Sequence, residues 1–277
     1  MKYDLLEPFK DYLYGSLSKN TARKYYSAIA KLLDGINVSK IEMISLEYLE
    51  KEILLRFKTR NEFSAAKNAL KHLADFYPQL RIPDKSFFES SSVKKRNYTK
   101  KPGKIIYLEP TLRKINQLKN EKLKYAYRLA LVSGLRVSEL ADLEKRDLAF
   151  TEGKIIVTVR RGKGGHGGTI KCRDDPYLYE RLVAFADGKE PEQKLFYGEA
   201  KMRREAWRLG FECHDLRRIY AIMTRKELRK QIPAKEADRM VQQNMRHVRF
   251  STTKRYLYNR KLKMDFGGRD EQRKSGN

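Results

Sequence analysis

Between Phe87 and Lys104 the chain reads FFESSSVKKRNYTKKPGK, a polar and basic stretch without apolar periodicity. Such a stretch offers too little apolar surface to bury for a fold of its own. Whatever the chain builds must therefore be built in two pieces. The length agrees, since 277 residues is long for one ordinary domain and comfortable for two. The expected division is a first domain over residues 1–90, a linker over 91–104, a second domain over 105–264 and a polar tail over 265–277.

The two pieces differ in period. In the first, Leu5, Leu6, Phe9, Tyr12 and Leu13 recur at helical spacing, and Tyr25, Ile29, Leu32 and Leu33 line one face of a second helix that Ser18 or Asn20 would cap. Two more apolar stripes run over 46–57 and 61–76 before Pro78 and Pro83 break the pattern, so this piece reads as a small helical bundle. From Ile105 the pattern becomes mixed. Helices are expected over 112–118, 125–132, 138–143, 177–186, 217–229 and 234–243. The β-branched run KIIVTVR (154–160) reads as a strand, with residues 169–171 as its hairpin partner across the glycine-rich RGKGGHGG. The expected fold class is mostly α with a small β-sheet or hairpin.

The formal net charge is +26 and the isoelectric point about 9.9. Clustered Lys and Arg concentrate phosphate-bearing ligands, so the partner is a polyanion. Ribosomal and histone-like proteins are also basic, but they seldom carry so many periodic apolar residues; charge alone gives nucleic-acid binding and nothing sharper. Candidate DNA contacts are Lys19, Arg23 and Lys24 on the polar side of the second helix, and Lys94, Lys95 and Arg96 in the linker. Cys172 and Cys213 make neither a disulfide framework nor a zinc cluster, which fits a reducing cytoplasm. No signal peptide and no membrane-length apolar run is visible. No set of close carboxylates proposes a two-metal nuclease, the glycine-rich stretch lacks the P-loop spacing, and no cofactor is expected.

Chemistry concentrates in four dispersed segments. They are Gly134-Leu135-Arg136-Val137-Ser138-Glu139-Leu140, the hairpin with Lys163, His214-Asp215-Leu216-Arg217-Arg218, and Met245-Arg246-His247 followed by Ser251-Thr252-Thr253-Lys254-Arg255-Tyr256. A phosphodiester under attack gathers extra negative charge on its nonbridging oxygens. Arginine forks neutralise it by donating paired hydrogen bonds, which makes Arg136 and Arg217 the candidates. Imidazole donates to phosphate or moves a proton near neutral pH, which singles out His214 and His247. A positioned phenol captures phosphorus covalently and conserves the energy of the bond for rejoining. Glu139 lies one turn past Arg136, where a carboxylate would orient the basic groups.

In these segments and in their order, the sequence resembles the tyrosine recombinase (phage integrase) family, in its two-domain Xer-like form. GLRVSEL and HDLRR match two family boxes, and His247 precedes Tyr256 by nine residues, the family's usual interval. That interval favours Tyr256 over its neighbour Tyr258 as nucleophile. The resemblance implies that His214 handles the proton of the nucleophile, that His247 helps hold the scissile phosphate, and that Lys163 protonates the departing 5′ oxygen. It implies a two-domain, C-shaped clamp on double-stranded DNA at a specific target site, with four protomers on two sites, in the nucleoid-associated cytoplasm of a prokaryotic host. The chain starts directly with the helical block, so no separate arm-binding domain is expected. Two departures stand out: Met245-Arg246 replaces the common Leu-Gly before the histidine, and the gap from Arg217 to His247 is long. The rivals are a type IB topoisomerase, which shares the chemistry, and a catalytically dead DNA-binding regulator on the same scaffold.

Overall fold

The computed structural model describes residues 2–36, 40–90, 105–162, 165, 167–258 and 262–263. The chain divides into two compact units, residues 1–101 and 102–277. Each has its own apolar core.

The first unit is helical: α1 (Lys2–Ser16), α2 (Lys19–Leu32), a 3-10 turn (Ile41–Met43), α3 (Leu46–Arg56), α4 (Arg60–Phe76) and the short α5 (Lys85–Glu89). Ser18, not Asn20, is the residue that precedes α2, and its hydroxyl meets Thr21 Oγ1 at 2.9 Å. Thr59 and Glu62 cap α4 reciprocally: the Thr59 hydroxyl accepts from the Glu62 N–H, and the Glu62 carboxylate accepts from the Thr59 N–H. Phe9, Leu13, Ile29, Leu32, Leu49, Ile53, Leu70 and Leu73 are fully buried between these helices. The predicted stripes thus meet face to face. His72 packs beside the rings of Tyr12 and Tyr25. Lys19, Arg23 and Lys24 are exposed on α2.

The second unit opens with β1 (Ile106–Tyr107) and α6 (Leu108–Asn116), which starts four residues before the expected 112 because Pro110 fits in a first helical turn. Helix α7 (Glu121–Ser133) is the buried axis of the unit, with Leu123, Tyr125, Tyr127 and Leu129 at 4% exposure or less. Helix α8 (Val137–Asp142) follows after a sharp turn. Three antiparallel strands then form a sheet in the order β2 (Leu148–Thr151), β3 (Lys154–Val159), β4 (Gly168–Lys171). Glu152 and Gly153, both at positive φ, make the two-residue turn between β2 and β3. Ile155, Val157 and Val159 bury the inner face of β3, and Val157 pairs with Ile170 of β4. Five more helices follow: α9 (Pro176–Ala186), α10 (Glu199–Arg208), α11 (Cys213–Leu228), α12 (Ala234–Asn244) and α13 (Phe250–Tyr258). Strand β5 (Leu262–Lys263) returns to pair in parallel with β1.

Six elements correct the sequence reading: α5, α10, α13, β1, β2 and β5 were not expected, and Phe87 and Phe88, read as the start of the linker, pack against the first core. Helix α11 also begins four residues before the expected 217. Its first turn is fixed by Glu212, whose N–H donates to the Asp215 carboxylate at 3.0 Å, so His214 sits on the helix rather than before it. Among the described residues, no helix is long and apolar enough to cross a membrane. Cys172 and Cys213 are free thiols.

Candidate active site

The turn between α7 and α8 sets the first part of the site. Gly134 ends α7 at φ +64, and a Cβ there would stand 2.3 Å from Cδ1 of Tyr220 on α11. Only glycine satisfies both conditions. Two residues on, Arg136 precedes α8. Its backbone N–H donates to Glu139 Oε2 at 2.8 Å and its Nη1 donates to Glu139 Oε1 at 2.6 Å. The Glu139 side chain is 2% exposed, and its second oxygen also accepts from Arg246 Nη2 at 2.5 Å. Burial alone would raise the Glu139 pKa, but the charges of Arg246 and Arg136 and the Arg136 N–H hold it below the usual carboxylate range.

Arg217 comes from the second turn of α11 and is wholly buried. Its Nη1 donates to the Gly134 carbonyl, and its Nη2 to the Met245 carbonyl and to His247 Nε2 at 3.1 Å. Burial, with the charge of Arg136 beside it, lowers its pKa to about 10. Since an arginine can only donate, His247 Nε2 is the acceptor, and the remaining ring proton sits on Nδ1 and donates to Thr253 Oγ1 at 3.0 Å. Burial and the charges of Arg217, Arg136 and Arg246 push the His247 pKa down to about 3. His247 is thus a neutral bridge whose two nitrogens are both engaged. The sequence reading expects Arg217 and His247 to meet the phosphate; the bonds of Arg217 described here go to protein groups, because the carbonyls of Gly134 and Met245 need donors in a buried place, while His247 also lines the cleft.

The segment carrying His247 is a helix end. Helix α12 closes with the Arg246 N–H on the Gln243 carbonyl and the His247 N–H on the Gln242 carbonyl, the paired bonds of a Schellman motif. That motif demands left-handed backbone at the residue before the histidine, and Arg246 supplies it at φ +51. For a residue with a Cβ this costs roughly 1 kcal/mol or more relative to glycine. The Arg246 side chain is 10% exposed, its Nε and Nη1 are buried without a partner among the described residues, and its stem passes near Gly168 of β4.

Helix α13 brings Thr253 and Tyr256 to the same face, one turn apart. Thr253 is fully buried and tied to His247; Tyr256 is half-buried. The Tyr256 hydroxyl lies 3.5 Å from His214 Nδ1, and its ring lies 5.2 Å from the His247 ring, 5.5 Å from Arg218 Cζ and 5.7 Å from Arg217 Cζ. Burial and the charges of Arg218, Arg203 and Arg217 lower the pKa of His214, so it is a neutral acceptor at pH 7. Tyr258, the rival, points elsewhere: its hydroxyl accepts from Arg225 and donates to Asp238 at 3.3 Å.

Arg136, Glu139, His214, Arg246, His247 and Tyr256 all line one cleft of about 990 Å³, together with Arg161 and Gly162 at the end of β3. Lys163 lies outside the described residues, as do Lys94, Lys95 and Arg96. Lys19, Arg23 and Lys24 belong to the other unit. Sequence reasoning passed over Arg246, Thr253 and the cleft-lining Arg203. The signal for Arg246 was the missing glycine before His247. Among the described residues, no three His, Cys, Asp or Glu side chains group as a metal site.

Comparison with known proteins gives the family and the fold. Residues 109–263 match the model of the phage integrase family. A tyrosine recombinase of Pseudothermotoga lettingae is 25% identical over 274 residues, 92% of this chain and 93% of that protein. A lambda integrase dimer bound to a COC′ core site superposes with a TM-score of 0.64 at 17% identity, over 97% of this chain and 96% of that one. Lambda integrase as a tetramer bound to a Holliday junction gives 0.59 at 16% identity, over 93% and 77%. The Tn1549 transposon integrase in complex with transposon right end DNA gives 0.62 at 16% identity, over 91% and 94%. The structural likenesses are likenesses of fold.

Proposed function

The chain belongs to the phage integrase family, and from that premise and the cleft around Tyr256 we infer a tyrosine-type site-specific DNA recombinase. The observation that carries the assignment of roles is the single cleft in which Tyr256, a proton acceptor and an arginine cluster meet. Tyr256 Oη attacks the phosphorus of one DNA strand. Its proton passes to His214 Nδ1, at 3.5 Å. The P–O5′ bond breaks, leaving a 3′-phosphotyrosyl link and a 5′-hydroxyl, and a 5′-hydroxyl from the partner duplex reverses the step to reseal the strand. Arg136 faces the cleft and meets the charge that develops on the nonbridging oxygens. Arg217 lends its charge from behind, and His247 couples Arg217 to Thr253 and so to the helix of the nucleophile. Glu139 fixes Arg136. Lys163 is assigned the proton for the 5′ oxygen by resemblance.

The partner is double-stranded DNA with a specific target site. Four copies acting on two sites, and a role on a mobile element in a prokaryotic cell, are proposed by analogy with the lambda and Tn1549 integrases. DNA contacts at Lys19, Arg23, Lys24, Lys94, Lys95 and Arg96 belong to the same proposal, with residues 1–90 as the core-binding domain, 91–104 as linker and 105–264 as the catalytic domain. The topoisomerase and the dead regulator are not favoured, since the family match and the relatives are integrases and recombinases.

The test is to trap the protein covalently on a pool of random-sequence duplexes and sequence what is bound. Wild type and Tyr258→Phe are expected to form adducts on a common sequence, and Tyr256→Phe to form none while keeping its DNA affinity. An adduct from Tyr256→Phe, or its absence from Tyr258→Phe alone, assigns the nucleophile wrongly.

A further inference from the structure

Arg246 has no part in the chemistry above, yet it is costly to keep where it stands. It occupies a left-handed position that glycine would take without strain, and its Nε and Nη1 are buried with no acceptor among the described residues. Its remaining nitrogen, Nη2, shares Glu139 with Arg136, so one carboxylate holds two guanidinium groups side by side at the wall of the cleft. Arg217 sits behind them, with His247 between it and Thr253. Arg203 and Arg218 have carboxylates of their own, Glu199 and Asp215. Three guanidiniums against one carboxylate leave two surplus positive charges in this cluster. A phosphodiester brings one negative charge, and its pentacoordinate state brings two. The cluster therefore matches the phosphate in the act of exchange better than the phosphate at rest.

We propose that Arg246 is a further catalytic residue, which donates from its Nη1 to a nonbridging oxygen of the phosphate that Tyr256 attacks. The proposal rests on the assignment of this cleft to strand cleavage. Glu139 serves as the pivot: its bond to Nη2 keeps the guanidinium at the wall while the group turns to the bound strand. Gly168 at the head of β4 sets no side chain against the Arg246 stem, where a Cβ would already be in van der Waals contact at 3.6 Å from Cδ. The sequence position that glycine usually fills at this helix end thus carries a cation directed at the substrate.

The test uses the full chain and a nicked duplex of the sequence recovered by covalent trapping, in two forms: one with an ordinary scissile phosphate, the other with a methylphosphonate, which lacks the charged oxygen. On the ordinary duplex Arg246→Gly is expected to slow single-turnover adduct formation by about 100-fold, the scale of one lost preorganised donor, with DNA affinity changed only a fewfold. On the methylphosphonate duplex the gap between variant and wild type should shrink to roughly tenfold or less, because one of the two charges to be met is gone. Arg246→Lys should fall between. Glycine relieves the left-handed backbone, so the variant should melt no lower than wild type, which separates a lost donor from a lost fold. A wild-type rate for Arg246→Gly overturns the proposal. So does an equal loss on both duplexes, which would make Arg246 a positioning residue for Glu139. Adduct formation by Tyr256→Phe would instead strike at the assignment of the cleft itself.

Discussion

His247 shows how much of the site is decided by one ring. Its Nδ1–H is spent on Thr253 and its Nε2 on Arg217, and both bonds need the neutral imidazole. The groups that face it are Arg217, Arg136 and Arg246, with the Tyr256 ring 5.2 Å away. A proton added to this ring would meet three positive charges in a buried place. The folded pKa is about 3 against an ordinary 6.5, so between those values the unfolded chain binds the extra proton and the folded one does not. Stability is therefore full above about pH 6.5 and is lost as the pH falls toward 3. The slope assignable to this one ring approaches about 1.4 kcal/mol per pH unit. Denaturant titrations from pH 7 to roughly pH 4 should show wild type losing stability more steeply than His247→Asn by an amount of that order; parallel curves would refute the bridge. That Arg136, His214, Arg217, His247 and Tyr256 belong together was legible in the sequence, because they fall in ordered boxes. Their contacts were not. Whether an arginine faces a phosphate or a carbonyl depends on which backbone groups the fold leaves without donors, and Gly134 and Met245 become such groups only once α7, α11 and α12 have packed.

At the scale of elements, the junction of α7 with α8 is the most constrained. The Gly134 backbone lies against the Tyr220 ring and its carbonyl accepts from Arg217. A methyl group at Gly134 would be forced into that ring while the backbone kept its left-handed turn. Gly134→Ala is expected to destabilise the protein by at least about 2 kcal/mol, through overpacking and lost conformational freedom together, and to impair adduct formation more than DNA binding, since Arg136 and Arg217 both hang on this turn. Chemical denaturation paired with a cleavage assay reads both effects; an alanine variant of native stability would contradict the close approach. Helices with wide apolar stripes, such as α2, α4 and α7, could be read from periodicity. Helix α10 could not, because only Met202 and Ala206 are buried along it and Trp207 is 77% exposed. Helix α13 hides for another reason: its STTKRY run is polar and includes β-branched threonines of weak helical preference, and its helical state depends on burying Thr253 and Leu257. Strand β2 has no fully buried residue to mark it, and β1 and β5 are too short to show a period.

Each of the two units carries apolar core of its own, and the whole chain a charge of +26. The break between the cores was visible in the sequence as a loss of apolar pattern. The charge predicts the character of binding more than its specificity. A chain so basic displaces many counterions from a duplex, so its affinity for DNA should fall on the order of 10³-fold or more between roughly 50 and 200 mM salt, whatever the sequence offered. Measuring the dissociation constant across that range, on both trapped and random duplexes, checks it. A nearly flat dependence would mean that the basic side chains serve the protein's own ion pairs instead of phosphates.

The strand pair β1–β5 has a mechanical consequence. Helix α13 is moored on one side by the Thr253–His247 bond and on the other, beyond its last turn, by Leu262 and Lys263 alongside Ile106 and Tyr107. Tyr256 therefore rides on a beam supported at both ends. In the proposed reaction, tension on a DNA strand joined to its oxygen would divide between the two moorings, into the core beneath the arginines and into the first residues of the second unit. A severed DNA end held in this way would hang from a bridge, and a pull that loosens one pier would leave the other standing.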